Sequence, residues 1–166
     1  MKKTYSLIFL IFSLMNHTVL AAPITVGTDA PQVTSLNEKG EEVDLGKELS
    51  SGTALVFFYP RALTPGCTKQ ACSLRDNWDE LQSREVKIFG VSTDTAELQA
   101  EFKDKHSLPF TLIADTNGAV SKAFGKQPRS RQAYIFVDGK LAWSDYKAAT
   151  AKQAEEVLAA LDALEK

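Results

Sequence analysis

Two cysteines stand five positions apart, Cys67 and Cys72, immediately after the segment Tyr59-Pro60-Arg61-Ala62-Leu63-Thr64-Pro65-Gly66. Thr64 is a residue type that caps helices, and Pro65 suits the first helical position, where its missing N–H is no loss. Cys67 then falls in the first turn, facing free backbone donors and the positive end of the helix dipole. Such a place favours thiolate over thiol, and the thiolate is the nucleophile. Position alone leaves a second reading open. Cys67 shares a helix face with Ala71, Leu74 and Trp78 and could be a small buried apolar residue.

The spacing to Cys72 bears on that choice. On an ideal helix, residues five apart are separated by about 7.5 Å of rise and about 140° of rotation, a Cα separation of roughly 8.5 Å. A disulfide needs less than about 7 Å. The two sulfurs therefore cannot join while the helix is intact, which argues against a static bridge. A pair that must unwind its own helix to bond suits a redox cycle, and two cysteines are too few for a disulfide framework.

The elements that must hold these residues are legible in the apolar pattern. Ala54 to Tyr59 is a continuous apolar run ended by Pro60, as expected of a buried central strand. Ala71, Leu74, Trp78 and Leu81 recur at helical spacing after it, so the Cys67 loop joins a strand end to a helix. Ligands in open α/β sheets gather at the carboxyl ends of strands, where this loop lies. Gln32 to Leu45 reads as a small hairpin or irregular entry turning at Asn37-Glu38-Lys39-Gly40, and Val86 to Val91 as the next buried strand. Asp94-Thr95-Ala96-Glu97 resembles a capping box ahead of a helix through Leu98 and Phe102. Thr111 to Ala114 is a short strand, and Ala119 to Phe124 a short helix closed by Gly125. Tyr134 to Val137 and Leu141 to Tyr146 flank the hairpin signal Asp138-Gly139. Thr150 to Gln153 opens a last helix with an apolar stripe of Ala154, Val157, Leu158, Leu161 and Leu164. Strands alternating with helices, then a hairpin and a helix, predict an α/β sandwich with a mixed sheet.

Several strings resemble a known family. Pro60-x-x-x-Thr64-x-x-Cys67 is similar to the active-site motif of peroxiredoxins, and TPGCTKQACSLRD, Thr64 to Asp76, resembles the subgroup called peroxiredoxin Q or bacterioferritin comigratory protein. The resemblance continues through GVSTD (Gly90 to Asp94), PFTLIAD (Pro109 to Asp115) and RQAYIFV (Arg131 to Val137). It implies a thioredoxin-like fold in its peroxiredoxin elaboration. It also implies reduction of hydrogen peroxide or organic hydroperoxides to water or alcohol, without metal, haem or flavin. In that resemblance Cys67 attacks the O–O bond and becomes a sulfenic acid, and Cys72 resolves it as an intramolecular disulfide. Thr64 fixes thiolate and peroxide by hydrogen bonding, Pro60 shields the pocket, and Arg131 stabilises the thiolate and polarises the peroxide. A thioredoxin-like dithiol protein supplies the electrons. Taken alone, Arg131 reads first as part of a solvated basic loop with Lys126 and Arg129. One departure from the family is Val137, which stands where an acidic residue is usual, with the following turn one residue shorter.

Bulk properties narrow the setting. Residues 1–21 read as an export signal: Lys2 and Lys3, an apolar run from Tyr5 to Met15, and a small-residue exit with cleavage after Ala21. That run is short of the roughly 20 residues a membrane span needs, so retention as an anchor is the lesser reading. Removal leaves 22–166 as one domain-sized chain and moves the formal charge from −2 to −4. Mild acidity gives no reason to expect nucleic acid or anionic membrane as partner. An exported, oxidising compartment such as the bacterial periplasm permits the disulfide, although many relatives are cytosolic. His106 is the only histidine left and reads as a solvent-facing or helix C-terminal residue, so a metal site is not expected. Two other classes compete: a thioredoxin-type thiol–disulfide oxidoreductase, which normally carries a CxxC absent here, and a non-enzymatic thioredoxin-fold binding module.

Overall fold

The computed structural model describes residues 22–166; the expected export signal, residues 1–21, lies outside the described residues. The entry hairpin pairs β1 (Thr34–Asn37) with β2 (Glu42–Asp44), and Asn37 Oδ1 closes its turn by accepting from the N–H groups of Lys39 and Glu41 at 2.8 and 3.0 Å. A short helix α1 (Leu45–Glu48) leads to β3 (Thr53–Phe58). Then come α2 (Pro65–Asp76), α3 (Trp78–Ser83), β4 (Lys87–Ser92), α4 (Ala96–His106), β5 (Thr111–Ala114) and α5 (Ala119–Ala123). The chain ends with the hairpin β6 (Gln132–Val137) and β7 (Lys140–Asp145), then α6 (Gln153–Leu164).

These strands form one mixed sheet of order β2-β1-β5-β4-β3-β6-β7. β3, β4 and β5 run parallel, while β6 pairs antiparallel with β3, and β1 with β5. β3 is therefore central, and Ala54 to Phe58 are wholly buried, as the continuous apolar run predicts. Its alternate residues feed two cores. Leu55, Phe57 and Tyr59 pack with Cys67, Ala71 and Leu74 of α2, Phe102 of α4 and Val157 and Leu161 of α6. Ala54, Val56 and Phe58 pack on the other face with Leu45 and Leu49 beside α1 and Val120 and Phe124 at α5. The molecule is a helix–sheet–helix sandwich of the thioredoxin-like class.

Three local readings change. The helix expected to run through Trp78 and Leu81 breaks at Asn77 (φ −111°, ψ 21°), whose Nδ2 donates to the Ser73 carbonyl at 2.9 Å and so competes with the helical ladder. The last helix begins at Gln153 rather than Thr150. No side chain of its own segment caps it; the Ser73 hydroxyl of α2 instead accepts from the N–H of Ala154 at 3.1 Å. Leu164 is 42% exposed, so the buried stripe of α6 stops at Leu161. The Asp138-Gly139 turn has positive φ at both residues, 47° and 80°, as a two-residue hairpin requires. Val137 ends β6 packed against the first core, where an acid would be desolvated.

Candidate active site

β3 gives out where its donors do. Tyr59 N–H still bonds the Val91 carbonyl at 3.1 Å, and Pro60, with no N–H, ends the ladder. The loop turns through Leu63 at φ 61° and enters α2 at Thr64, which is extended (φ −84°, ψ 149°) with Pro65 behind it. Thr64 thus holds the N-cap position the sequence predicts, but its side chain makes no cap bond. Its Oγ1 donates to the Arg61 carbonyl at 2.9 Å, and the structure does not bring it to Cys67.

What fixes this loop is Asp94, which sequence reasoning placed in a capping box. The N-cap of α4 is Thr95, whose Oγ1 accepts from Leu98 N–H at 3.3 Å. Asp94 Oδ2 instead accepts from the Ala62 N–H at 2.6 Å and from the Ser92 hydroxyl at 2.7 Å. Ser92 also accepts from Gln99 Nε2 at 2.9 Å, and the Tyr59 hydroxyl donates to Gln99 Oε1, so the loop is bound into the ends of β3 and β4.

Cys67 is wholly buried at the third position of α2, and Arg131 Nη2 donates to its Sγ at 3.4 Å. Arg131 is thus part of the site, not of a solvated loop. Its carbonyl accepts from Ala148 N–H at 3.1 Å, and its Nε is buried without a hydrogen-bond partner among the described residues. Gly66 makes the approach possible: a Cβ there would lie 2.6 Å from Arg131 Nη2. Sequence reasoning missed Gly66, because its role is set by a residue far along the chain.

Cys72 sits further along the same unbroken helix, half-buried, and both thiols are free. Burial pushes the Cys72 thiol up; the Arg75 guanidinium counters this and the Asp76 carboxylate adds to it. Between the cysteines, Gln70 is buried and its Nε2 donates to Gln153 Oε1 of α6 at 2.8 Å. Arg75 Nη1 donates to the His106 carbonyl at 2.7 Å and so closes α4. His106 itself lies edge-on to Phe102 at 5.4 Å. Burial, with the Lys105 and Arg75 charges, lowers its pKa, which favours neutral imidazole over a cation at the helix end. Pro60 is half-buried at the loop's start.

A mixed sheet with a cysteine in the first turn of the helix after its central strand, and an arginine just ahead of the neighbouring strand on that sulfur, defines a thioredoxin-like thiol protein. Residues 26–144 match the model of the AhpC/TSA family, and the chain belongs to that family. A protein named peroxiredoxin Bcp from Escherichia coli (strain K12) is 44% identical over 103 residues, covering 62% of this chain and 65% of that one. The chain therefore spans a little less than two thirds of the length of the first curated relatives it matches. Among solved structures, peroxidoxin BcpB from Mycobacterium tuberculosis is 29% identical with a TM-score of 0.78, over 84% of this chain and 97% of that one. The bacterioferritin comigratory protein of Xanthomonas campestris, described for its alkyl peroxide reduction activity, is 25% identical with a TM-score of 0.77, over 87% and 99%.

Proposed function

We propose that the protein is a thiol-dependent peroxidase acting on hydrogen peroxide and organic hydroperoxides. The observation that carries this reading is the Arg131 Nη2–Cys67 Sγ contact of 3.4 Å inside a buried first turn. A guanidinium there is a charged donor to the sulfur and keeps further donors for a peroxide oxygen. The Cys67 thiolate attacks one peroxide oxygen, the O–O bond breaks, and the other oxygen leaves with a proton as water or alcohol. Sulfur is oxidised to sulfenic acid. Thr64 Oγ1 exchanges the Arg61 carbonyl for the thiolate and peroxide, and Pro60 shields the pocket. The Cys72 thiol then displaces water from the sulfenic acid, giving the disulfide, and a thioredoxin-like dithiol protein returns two electrons.

Residues 1–21 serve, in this reading, as an export signal removed after Ala21, and the mature protein works in the periplasm. The support is the sequence pattern of that segment. The E. coli and X. campestris proteins support the peroxidase reading by their names and descriptions. Steady-state peroxide consumption with a dithiol reductant, run beside insulin disulfide reduction, tests it. Peroxide turnover without insulin reduction is expected. Insulin reduction without peroxide turnover favours the thioredoxin-type reading, and one equivalent of peroxide lost per chain favours a binding module.

A further inference from the structure

The carboxyl ends of β3 and β4 meet the segment between α5 and β6 around a cavity of about 400 Å3. Tyr59 and Pro60 wall it on the side of the Cys67 loop, while neither Cys67 nor Arg131 lines it. Across from them stand Thr93, Ser121, Lys126 and Arg129, and no acidic side chain. Lys126 is half-buried. Its Nζ donates to the Gln127 carbonyl at 3.2 Å and stands 6.0 Å from the centre of the Phe58 ring. An ammonium has three donors, so most of this one's capacity is unspent. Burial pushes Lys126 below the usual lysine range, with Asp115 countering from beneath α5. Asp115 does not pair with it: its two oxygens accept from the N–H groups of Val120 and Ser121 at 2.9 and 2.8 Å. Ser121 Oγ is shut off from solvent and has no hydrogen-bond partner among the described residues. Arg129 is exposed, held in a left-handed turn at φ 57°, and makes no ion pair among the described residues.

A half-buried cation without a carboxylate partner is unfavourable, and Lys126 shares this cavity with the Arg129 guanidinium and with no acid. An oxyanion would accept from both cations, and charge-assisted bonds of this kind are the strong ones. We propose that this cavity binds an oxyanion group, a carboxylate or a phosphate, through Lys126 and Arg129, next to the Cys67 loop. The group arrives either free or carried on an organic hydroperoxide; only the second case rests on the peroxidase reading.

The test titrates inorganic phosphate into the protein with isotope-labelled lysines. It also compares kcat/KM for a hydroperoxide bearing a carboxylate with that for its methyl ester. A saturable phosphate shift of the Lys126 side-chain signal, with its titration midpoint raised, is expected. Lys126→Gln removes that signal, and Arg129→Gln weakens phosphate binding about tenfold. An acid-over-ester preference of about tenfold that falls toward unity in Lys126→Gln places the oxyanion on the substrate. A phosphate shift without that preference places it on a free anion. Neither a phosphate shift at Lys126 nor an acid preference overturns the proposal. Lys126→Arg, which keeps the charge, controls for a loss that is only structural. Hydrogen peroxide turnover in the same preparations reports separately on Cys67.

Discussion

The 3.4 Å contact between Cys67 and Arg131 depends on how closely the guanidinium can approach the first turn of α2, and Gly66 leaves room for it. A methyl group on Gly66 would meet Arg131 Nη2 at 2.6 Å and displace the guanidinium from the sulfur. Gly66→Ala is therefore expected to lower kcat/KM for peroxide by roughly ten- to a hundredfold, the worth of one charge-assisted hydrogen bond. Stopped-flow peroxide kinetics on variant and parent check this. In the proposed reading the two cysteines divide their roles by place. Cys67 is buried under the arginine, and Cys72 is half-exposed with its thiol pushed up by burial. Cys72→Ser is expected to react with one equivalent of peroxide and leave a sulfenic acid on Cys67, which a trapping reagent labels and mass spectrometry locates. Failure of Cys72→Ser to consume that equivalent, with Cys67→Ser consuming it and carrying the label on Cys72, would reverse the assignment. Cys67 and Cys72 were legible in their type and spacing, whereas the site roles of Thr64, Pro60 and Arg131 came only from the family resemblance, since Arg131 alone reads as part of a basic loop. Gly66 and Asp94 were not legible in those roles. Each acts on a segment some thirty to sixty-five positions away along the chain, and nothing local distinguishes a glycine in a turn or an aspartate before a helix from one that builds a site.

α2 is held along its length by contacts outside itself. Gln70 bonds Gln153, Ser73 accepts from Ala154, and Arg75 reaches the His106 carbonyl. Gln70 Oε1 and Gln153 Nε2 remain buried without partners, so the first of these tethers is half-satisfied. Opening the helix gives up that contact while letting both stranded atoms reach water, which reduces the net loss. A Cα separation of roughly 8.5 Å must close below about 7 Å before Cys67 and Cys72 can bond. The oxidised protein is therefore expected to lose at least the first turns of α2 while the sheet stays intact. Amide hydrogen exchange checks this: Thr68 to Arg75 exchange faster in the oxidised state, with β3 and β4 unchanged. Equal protection in both states would contradict opening of the helix. Strands, helices and the hairpin were legible because their periodicity is local. The break at Asn77 and the late start of α6 were not, since one follows a side chain bonding its own helix and the other a cap lent by a different helix.

Across the whole molecule, a residue of the entry hairpin's turn joins three elements. Glu38 is only 8% exposed. Its Oε1 meets Lys103 Nζ of α4 at 2.5 Å, and its Oε2 accepts from the Leu112 N–H of β5 at 2.9 Å. Burial pushes its carboxyl up, but the Lys103 hydrogen bond and charge and the Leu112 N–H outweigh burial and hold it below the usual range. A carboxyl depressed on folding stabilises the protein above its unfolded value, about 4.3, and loses that contribution as pH falls through the lower folded value. Glu38→Gln is thus expected to unfold more easily at neutral pH, by about 1–3 kcal/mol, with the difference from the parent shrinking below about pH 4. Thermal unfolding across that range checks it, and a constant difference would remove the ionised carboxylate from the explanation. The sheet, the two cores and these tethers serve one sulfur. The most direct test is multiple-turnover peroxide consumption by the protein and by Cys67→Ser, with a dithiol reductant. Many equivalents consumed by the parent and none above background by Cys67→Ser is the expected result; turnover by Cys67→Ser near the parent rate would contradict the assignment of Cys67 as the peroxide-attacking residue.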